Sequence, residues 1–182
     1  MSTKEYLFID IECCDGHHIC SFGFVICDDN FNIIRKEDIL INPEKRFKLG
    51  RAGFEPRIHL AHKPEKFLSQ PNFAKVYKAI SKILEKKIVI GHSILDDIKY
   101  LRIACDRYKL PQFENEIFCT QLYYMQYNQD RNRKKLSTIL EELNIDTSNK
   151  TFHKSCDDAE LSMMILKKMC EIQAIKLPEV IS

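Results

Sequence analysis

The chain has 182 residues, 45% of them hydrophobic and 30% charged, a globular composition that excludes disorder and collagen-like repeats. Lys and Arg (28) nearly balance Asp and Glu (26), so any basic surface for nucleic acid has to be local. No apolar run approaches the roughly 18–20 residues of a bilayer crossing, and the N-terminal MSTKEYLFIDIE lacks the pattern of a secretion signal. A soluble, cytoplasmic protein with one domain over 1–182 is expected. The eight cysteines include no C-x-x-C and accompany no paired histidines of zinc-finger spacing, so reduced and mostly buried thiols are expected.

In chain order, residues 6–12 alternate and are β-prone, and 20–27 and 31–42 read as two further strands, the turn between them carried by Asp28-Asp29-Asn30. Short loops between three strands predict an antiparallel meander. Residues 43–71, rich in Pro, Lys, Arg and His, read as a long irregular connection. Pro71 then opens a helical stripe of Phe73, Val76, Tyr77, Ile80, Ile83 and Leu84. A short buried strand over 88–90 ends at Gly91, a helix follows over 94–108, and 117–119 fits another short strand. Further helices are predicted near 136–143 and over about 157–174. Strands first, then alternating helix and strand, define an α/β domain with a mixed sheet flanked by helices.

Three acidic clusters stand at the ends of these elements. Residues two apart in a strand share a face, so Asp10 and Glu12 join Tyr6 and Phe8 opposite Leu7, Ile9 and Ile11. Adjacent carboxylates on an apolar strand call for a hard divalent cation such as magnesium or manganese, unless the strand end frays into water. In GHSILDDIKYL (91–101) the buried stripe is Ile94, Ile98, Leu101 and Cys105. Asp97 lies about 60° from the centre of that stripe and Asp96 about 160° away, so Asp97 looks toward the sheet and Asp96 toward solvent. Two solvated acids serving the helix dipole are the competing account. In the last helix Asp158 falls in register with Leu161, Ile165 and Ile172, whereas Asp157 falls to the side. Ser155 and Asp158 also fit a capping pattern, with Ser155 as the cap. His153 precedes that helix on a loop.

Taken together, these residues resemble the DEDDh exonucleases, the family that includes the proofreading epsilon subunit of bacterial DNA polymerase III. Asp10-Ile11-Glu12 matches the D-x-E motif, His92 through Asp97 the second motif, and His153 to Asp158 the H-x(4)-D motif. Ile41-Asn42-Pro43, Cys119-Thr120 and Lys135-Leu136-Ser137 agree between them, and the similarity runs from about residue 5 to 172. The resemblance implies an RNase H-like fold with a five-stranded mixed sheet, two magnesium or manganese ions, and 3′–5′ hydrolysis to 5′ mononucleotides. It implies that Asp10 bridges both ions, that Glu12 and Asp158 complete the shell of one, that Asp97 holds the other, and that His153 is the general base. Cys13, Cys14, Ser93 and Asp96 depart from the family pattern at positions that help seat the terminal nucleotide.

The expected partners are single-stranded 3′ ends, with DNA preferred over RNA, and a polymerase. No membrane partner is expected. Two basic stretches suit a phosphate backbone or plain solvation: Lys45, Arg46, Lys48, Arg51 and Arg57, then Arg131, Arg133, Lys134 and Lys135. The competing readings are an RNA-trimming enzyme with the same chemistry and a module that binds nucleic acid or a polymerase without cutting.

Overall fold

The computed structural model describes residues 4–48 and 59–181. Five strands form one sheet: β1 (Tyr6–Cys13), β2 (Ile19–Cys27), β3 (Ile33–Leu40), β4 (Val89–Gly91) and β5 (Ile117–Cys119). Their order is β3-β2-β1-β4-β5, antiparallel from β3 to β1 and parallel from β1 to β5. This is the expected meander followed by parallel strands. The helices are α1 (Pro64–Leu68), α2 (Phe73–Leu84), α3 (Ile94–Tyr108), α4 (Thr120–Tyr127), α5 (Leu136–Glu142), α6 (Ser155–Gln173) and α7 (Leu177–Ile181). Among the described residues, none is long and apolar enough to cross a membrane.

The alternation of β1 splits the core in two. Leu7, Ile9 and Ile11 pack with Phe22 and Phe24 of β2 against Ile80 and Leu84 of α2 and Leu101 of α3. Tyr6 and Phe8 face the other way, where α6 brings Ala159, Met163 and Leu166 and α7 brings Leu177. A third apolar group joins Tyr124, Ile139 and Leu140 to Leu161, Ile165 and Met169 of α6. β3 is the outer strand. Its exposed Ile33 and Ile34 are followed by Arg35, Lys36, Glu37 and Asp38, charges that discourage edge-to-edge association.

Several expectations need correction. Residues 43–71 are not irregular throughout, because α1 closes on Phe67, buried against Cys14 and Cys20. The next helix is opened by Asn72, whose side chain accepts the Lys75 N–H, rather than by Pro71. Helix α4 begins at the Cys119-Thr120 pair, and its end has no signal in the sequence because TQLYYMQY has no one-sided apolar stripe. Helix α6 starts two residues early, with Lys154 and not Ser155 at the N-cap, and Ser155 is buried inside the first turn. Ile172 lies outside the buried stripe and is exposed. The thiols behave as expected: all eight cysteines are free and seven are buried.

Candidate active site

On the face that receives α6, the side chains run in rows across the sheet: Phe8 beside Val25 and Lys36, Asp10 beside Gly23 and Asp38, and Glu12 beside Ser21 and Leu40. Gly23 decides how near α6 can come. A Cβ there would stand 2.1 Å from the Ser155 carbonyl carbon and 2.2 Å from the Cys156 nitrogen. Its absence seats the first turn of α6 directly on the sheet, next to Asp10. Asp38 completes the seat, its Oδ1 accepting the Cys156 N–H at 2.7 Å and so capping the helix from another strand.

That first turn carries Asp157 and Asp158, both buried. Asp157 is held by Lys36 of β3, by Lys154 at 3.4 Å and by the Thr151 N–H at 3.2 Å. Lys36 also reaches Glu160, which Lys150 contacts at 2.6 Å. Falling to the side of the stripe therefore means a fixed ion pair rather than solvent for Asp157, whose carboxyl is held below the ordinary range by Lys36 despite its burial. Asp158 points the other way. Its Oδ2 accepts the His153 N–H at 2.9 Å, while its Oδ1 is buried without a donor. Buried Oδ2 of Asp10 also lacks a donor.

His153 sits in the left-handed region at φ 61° and its half-exposed ring places Nδ1 3.5 Å from Glu12 Oε1. Ligand atoms of Glu12, His153 and Asp158 all lie within 4.8 Å of one another. Asp97, on the first turn of α3, is buried, and its Oδ1 accepts the Ile11 N–H at 3.1 Å. β1 outruns its pairing with β4, which covers only Leu7 and Phe8, and this leaves that N–H to the carboxylate. Asp97 thus touches the backbone between Asp10 and Glu12, outside the tighter group. Asp96 is exposed, as its helical phase predicts.

The electrostatics describe a site starved of positive charge. Burial, then the neighbouring Asp97, Glu12 and Asp158, drive the Asp10 carboxyl well above its usual range. Burial does the same at Asp97 against the opposing Ile11 N–H, and lifts Asp158 to about 7. Glu12 is raised by burial in spite of His153, and His153 is raised chiefly by its contact with Glu12. Carboxylates desolvated together, two of them with orphaned oxygens, fit hard divalent cations. Asp10, Glu12, Asp97 and Asp158 offer the oxygen ligands such ions take.

The remaining sequence candidates lie around this centre. His92 is neutral, lowered to about 4 by burial, and its Nε2 lies 3.1 Å from the Lys134 carbonyl oxygen. His17 and His18 belong to a turn closed by Asp15, which binds the His18 ring at 2.9 Å. Lys134 is occupied by Asp130 and Glu142, leaving Arg131, Arg133 and Lys135 exposed in that loop. Of the first basic stretch, Arg51 and Arg57 lie outside the described residues. Sequence reasoning missed Gly23 and Asp38. A glycine within the wholly buried CSFGFVIC strand was the available signal, since an interior strand glycine marks close approach of other backbone.

Sheet order and flanking helices define an RNase H-like exonuclease fold. The chain belongs to the RNase T exonuclease family, whose model matches residues 7–166; the family generally uses divalent metal ions. No curated protein matches the chain. Among solved structures it is similar to the nuclease domain of 3′hExo, a DEDDh family member bound to rAMP, with 18% identity, 93% of each chain covered and a TM-score of 0.73. It is also similar to exonuclease X in complex with 5′ overhanging duplex DNA (14% identity, 93% of each chain, TM-score 0.69). A third likeness is to a 3′-exonuclease with 3′-end specific recognition of a histone mRNA stem-loop (16% identity, 94% of this chain and 84% of that one, TM-score 0.74). At these identities the likeness is one of fold, shared by proteins bound to DNA and to RNA.

Proposed function

We propose that the protein is a metal-dependent 3′–5′ exonuclease that releases 5′ mononucleotides from single-stranded ends. The observation that carries this reading is the convergence of carboxylates from β1, α3 and α6, those of Asp97 and Asp158 buried, with the donorless oxygens of Asp10 and Asp158 beside Glu12 and His153. A module that only bound nucleic acid would have no use for clustered acids that repel phosphate.

Asp10, Glu12, Asp97 and Asp158 would hold two magnesium or manganese ions. When bound, such a pair stabilises the charge that grows on the entering and leaving oxygens of phosphodiester hydrolysis. The chain's own residues supply the rest. His153 takes the proton of the attacking water as its oxygen bonds to phosphorus and the bond to the 3′ oxygen breaks. Glu12 lies within reach of Nδ1, steadies the ring and favours its protonated form. The backbone tie from His153 to Asp158 sets the base beside the same carboxylate that holds the ion. Asp97 fixes the Asp10–Glu12 strand end through Ile11.

The test is a single strand labelled at its 5′ end, incubated with manganese or magnesium. Stepwise shortening from the 3′ end that stops in EDTA and is abolished in Asp158→Ala supports the reading. Internal cuts, activity in EDTA, or an active Asp158→Ala enzyme would overturn it. The same chemistry serves both sugars, and matched DNA and RNA oligonucleotides degraded side by side assign the preference, DNA being the one we favour.

A further inference from the structure

The Glu12, His153 and Asp158 group has a composition unlike that of an all-oxygen magnesium site. His153 Nδ1 and Glu12 Oε1 are 3.5 Å apart, long for an N–H···O bond. The spacing is close to the edge of roughly 3.3 Å that separates two ligands of a tetrahedral zinc ion with bonds near 2.0–2.1 Å. Asp158 is 6% exposed, has one oxygen committed to the His153 N–H and the other buried without a donor, and it offers a carboxylate oxygen within 4.8 Å of the ligand atoms of the other two. Two carboxylates and one imidazole in that compass suit a borderline cation better than magnesium, which prefers oxygen ligands and retains its waters.

The histidine is also held in place before any ion arrives. Its N–H is tied to Asp158, its carbonyl accepts the Ala61 N–H at 3.1 Å, and its ring stacks on His59 with centroids 5.5 Å apart. These ties fix the histidine backbone on the side of Asp158, and the half-exposed ring leaves the ion a way in from solvent.

We infer that Glu12, His153 and Asp158 form a single-ion site for a zinc-class cation, and that the ion bound there takes the Nδ1 lone pair and withdraws His153 from proton transfer. The site stands on geometry; its inhibitory consequence rests on the proposed role of His153 as the base. Zinc would then act as a brake that manganese and magnesium, taken by the carboxylates, do not apply.

The test uses the metal-free full chain with zinc, and with cobalt(II) as its coloured substitute. Zinc affinity is read by competition with a chromophoric chelator, and manganese affinity is measured separately. The wild type is expected to bind one zinc per chain and to show visible cobalt bands of low coordination number. His153→Ala should lose those bands and weaken zinc by at least the roughly 10–100-fold that loss of a supporting ligand contact costs, while manganese binding persists. Zinc added over manganese should stop cutting by the wild type. Equal zinc affinity in His153→Ala, or near-ultraviolet bands of thiolate coordination, would overturn the inference. The failures separate cleanly. Manganese-dependent cutting with zinc binding indifferent to His153 defeats this site alone, and zinc binding through His153 without any cutting defeats the nuclease reading alone.

Discussion

The two faces of the central sheet come from the same strands and differ by one residue of phase. On the face toward α2 and α3, Leu7, Ile9 and Ile11 of β1 continue the apolar packing to the end of the strand. On the face toward α6 the packing is apolar through Tyr6 and Phe8 and then changes to Asp10 and Glu12, with Gly23 and Asp38 in the same rows. The side-chain period of two lets one strand serve as core and site together. The dry face fixes the strands. The other places carboxylates where water is scarce and a helix end is close.

The sharpest way to break that comparison is Gly23→Ala. The new methyl would collide with the α6 backbone, which has no flexible side chain to yield, so a loss of about 3 kcal/mol or more in urea unfolding and no detectable exonuclease activity are expected. On the dry face Ile80→Val is expected to cost only about 1 kcal/mol and to keep activity. Equal effects would mean that the close approach at Gly23 is unimportant.

Asp157→Ala comes next. It removes one of the two carboxylates that hold Lys36, which keeps Glu160 and is 24% exposed, and a loss of about 1–2 kcal/mol is expected by the same unfolding measurement. Activity should fall with the seating of α6, and a variant as stable and active as wild type would contradict the anchoring role.

A pH series sharpens the electrostatic half of the contrast. Asp158 is raised from 3.8 to about 7, and Asp10 and Asp97 are raised in the same direction. Between the unfolded and folded values the native state therefore binds more protons than the unfolded chain, and stability falls as pH increases. Without metal, the contribution of Asp158 should be fully present below about pH 4 and lost as pH climbs through 7. Manganese at a hundredfold excess over its dissociation constant is expected to add about 2.7 kcal/mol at high pH and far less at pH 5, read as thermal shifts. A metal effect that is independent of pH would count against coupled buried carboxylates.

The smallest effect is expected at Asp96, exposed on α3. Asp96→Ala should change stability by less than about 0.5 kcal/mol and spare cutting, whereas Asp97→Ala should abolish it. If both variants are equally inactive, the phase argument that separates them fails.

Much of this arrangement was legible from spacing alone. Period two placed Asp10 with Glu12, and a turn of about 100° per residue separated Asp97 from Asp96. The strands of the meander and the helix over 94–108 followed from the same patterns. What spacing cannot carry is pairing between distant segments. Asp157 looks peripheral on its own helix, and its partner Lys36 stands 121 residues away. Ser155 fits a local cap, yet the sheet supplies Asp38 to do that work and fixes Lys154 as the boundary. Gly23 has meaning only once α6 lies across it.

The central claim is that these carboxylates hold divalent ions, and calorimetric titration of manganese into wild type and Asp158→Asn tests it most directly. The account expects binding to the wild type, severe weakening in Asp158→Asn, and a metal-free variant at least as stable as wild type near neutral pH because a buried charge has been removed. A wild type that takes up no manganese, or a variant that takes it up equally well, would contradict the account.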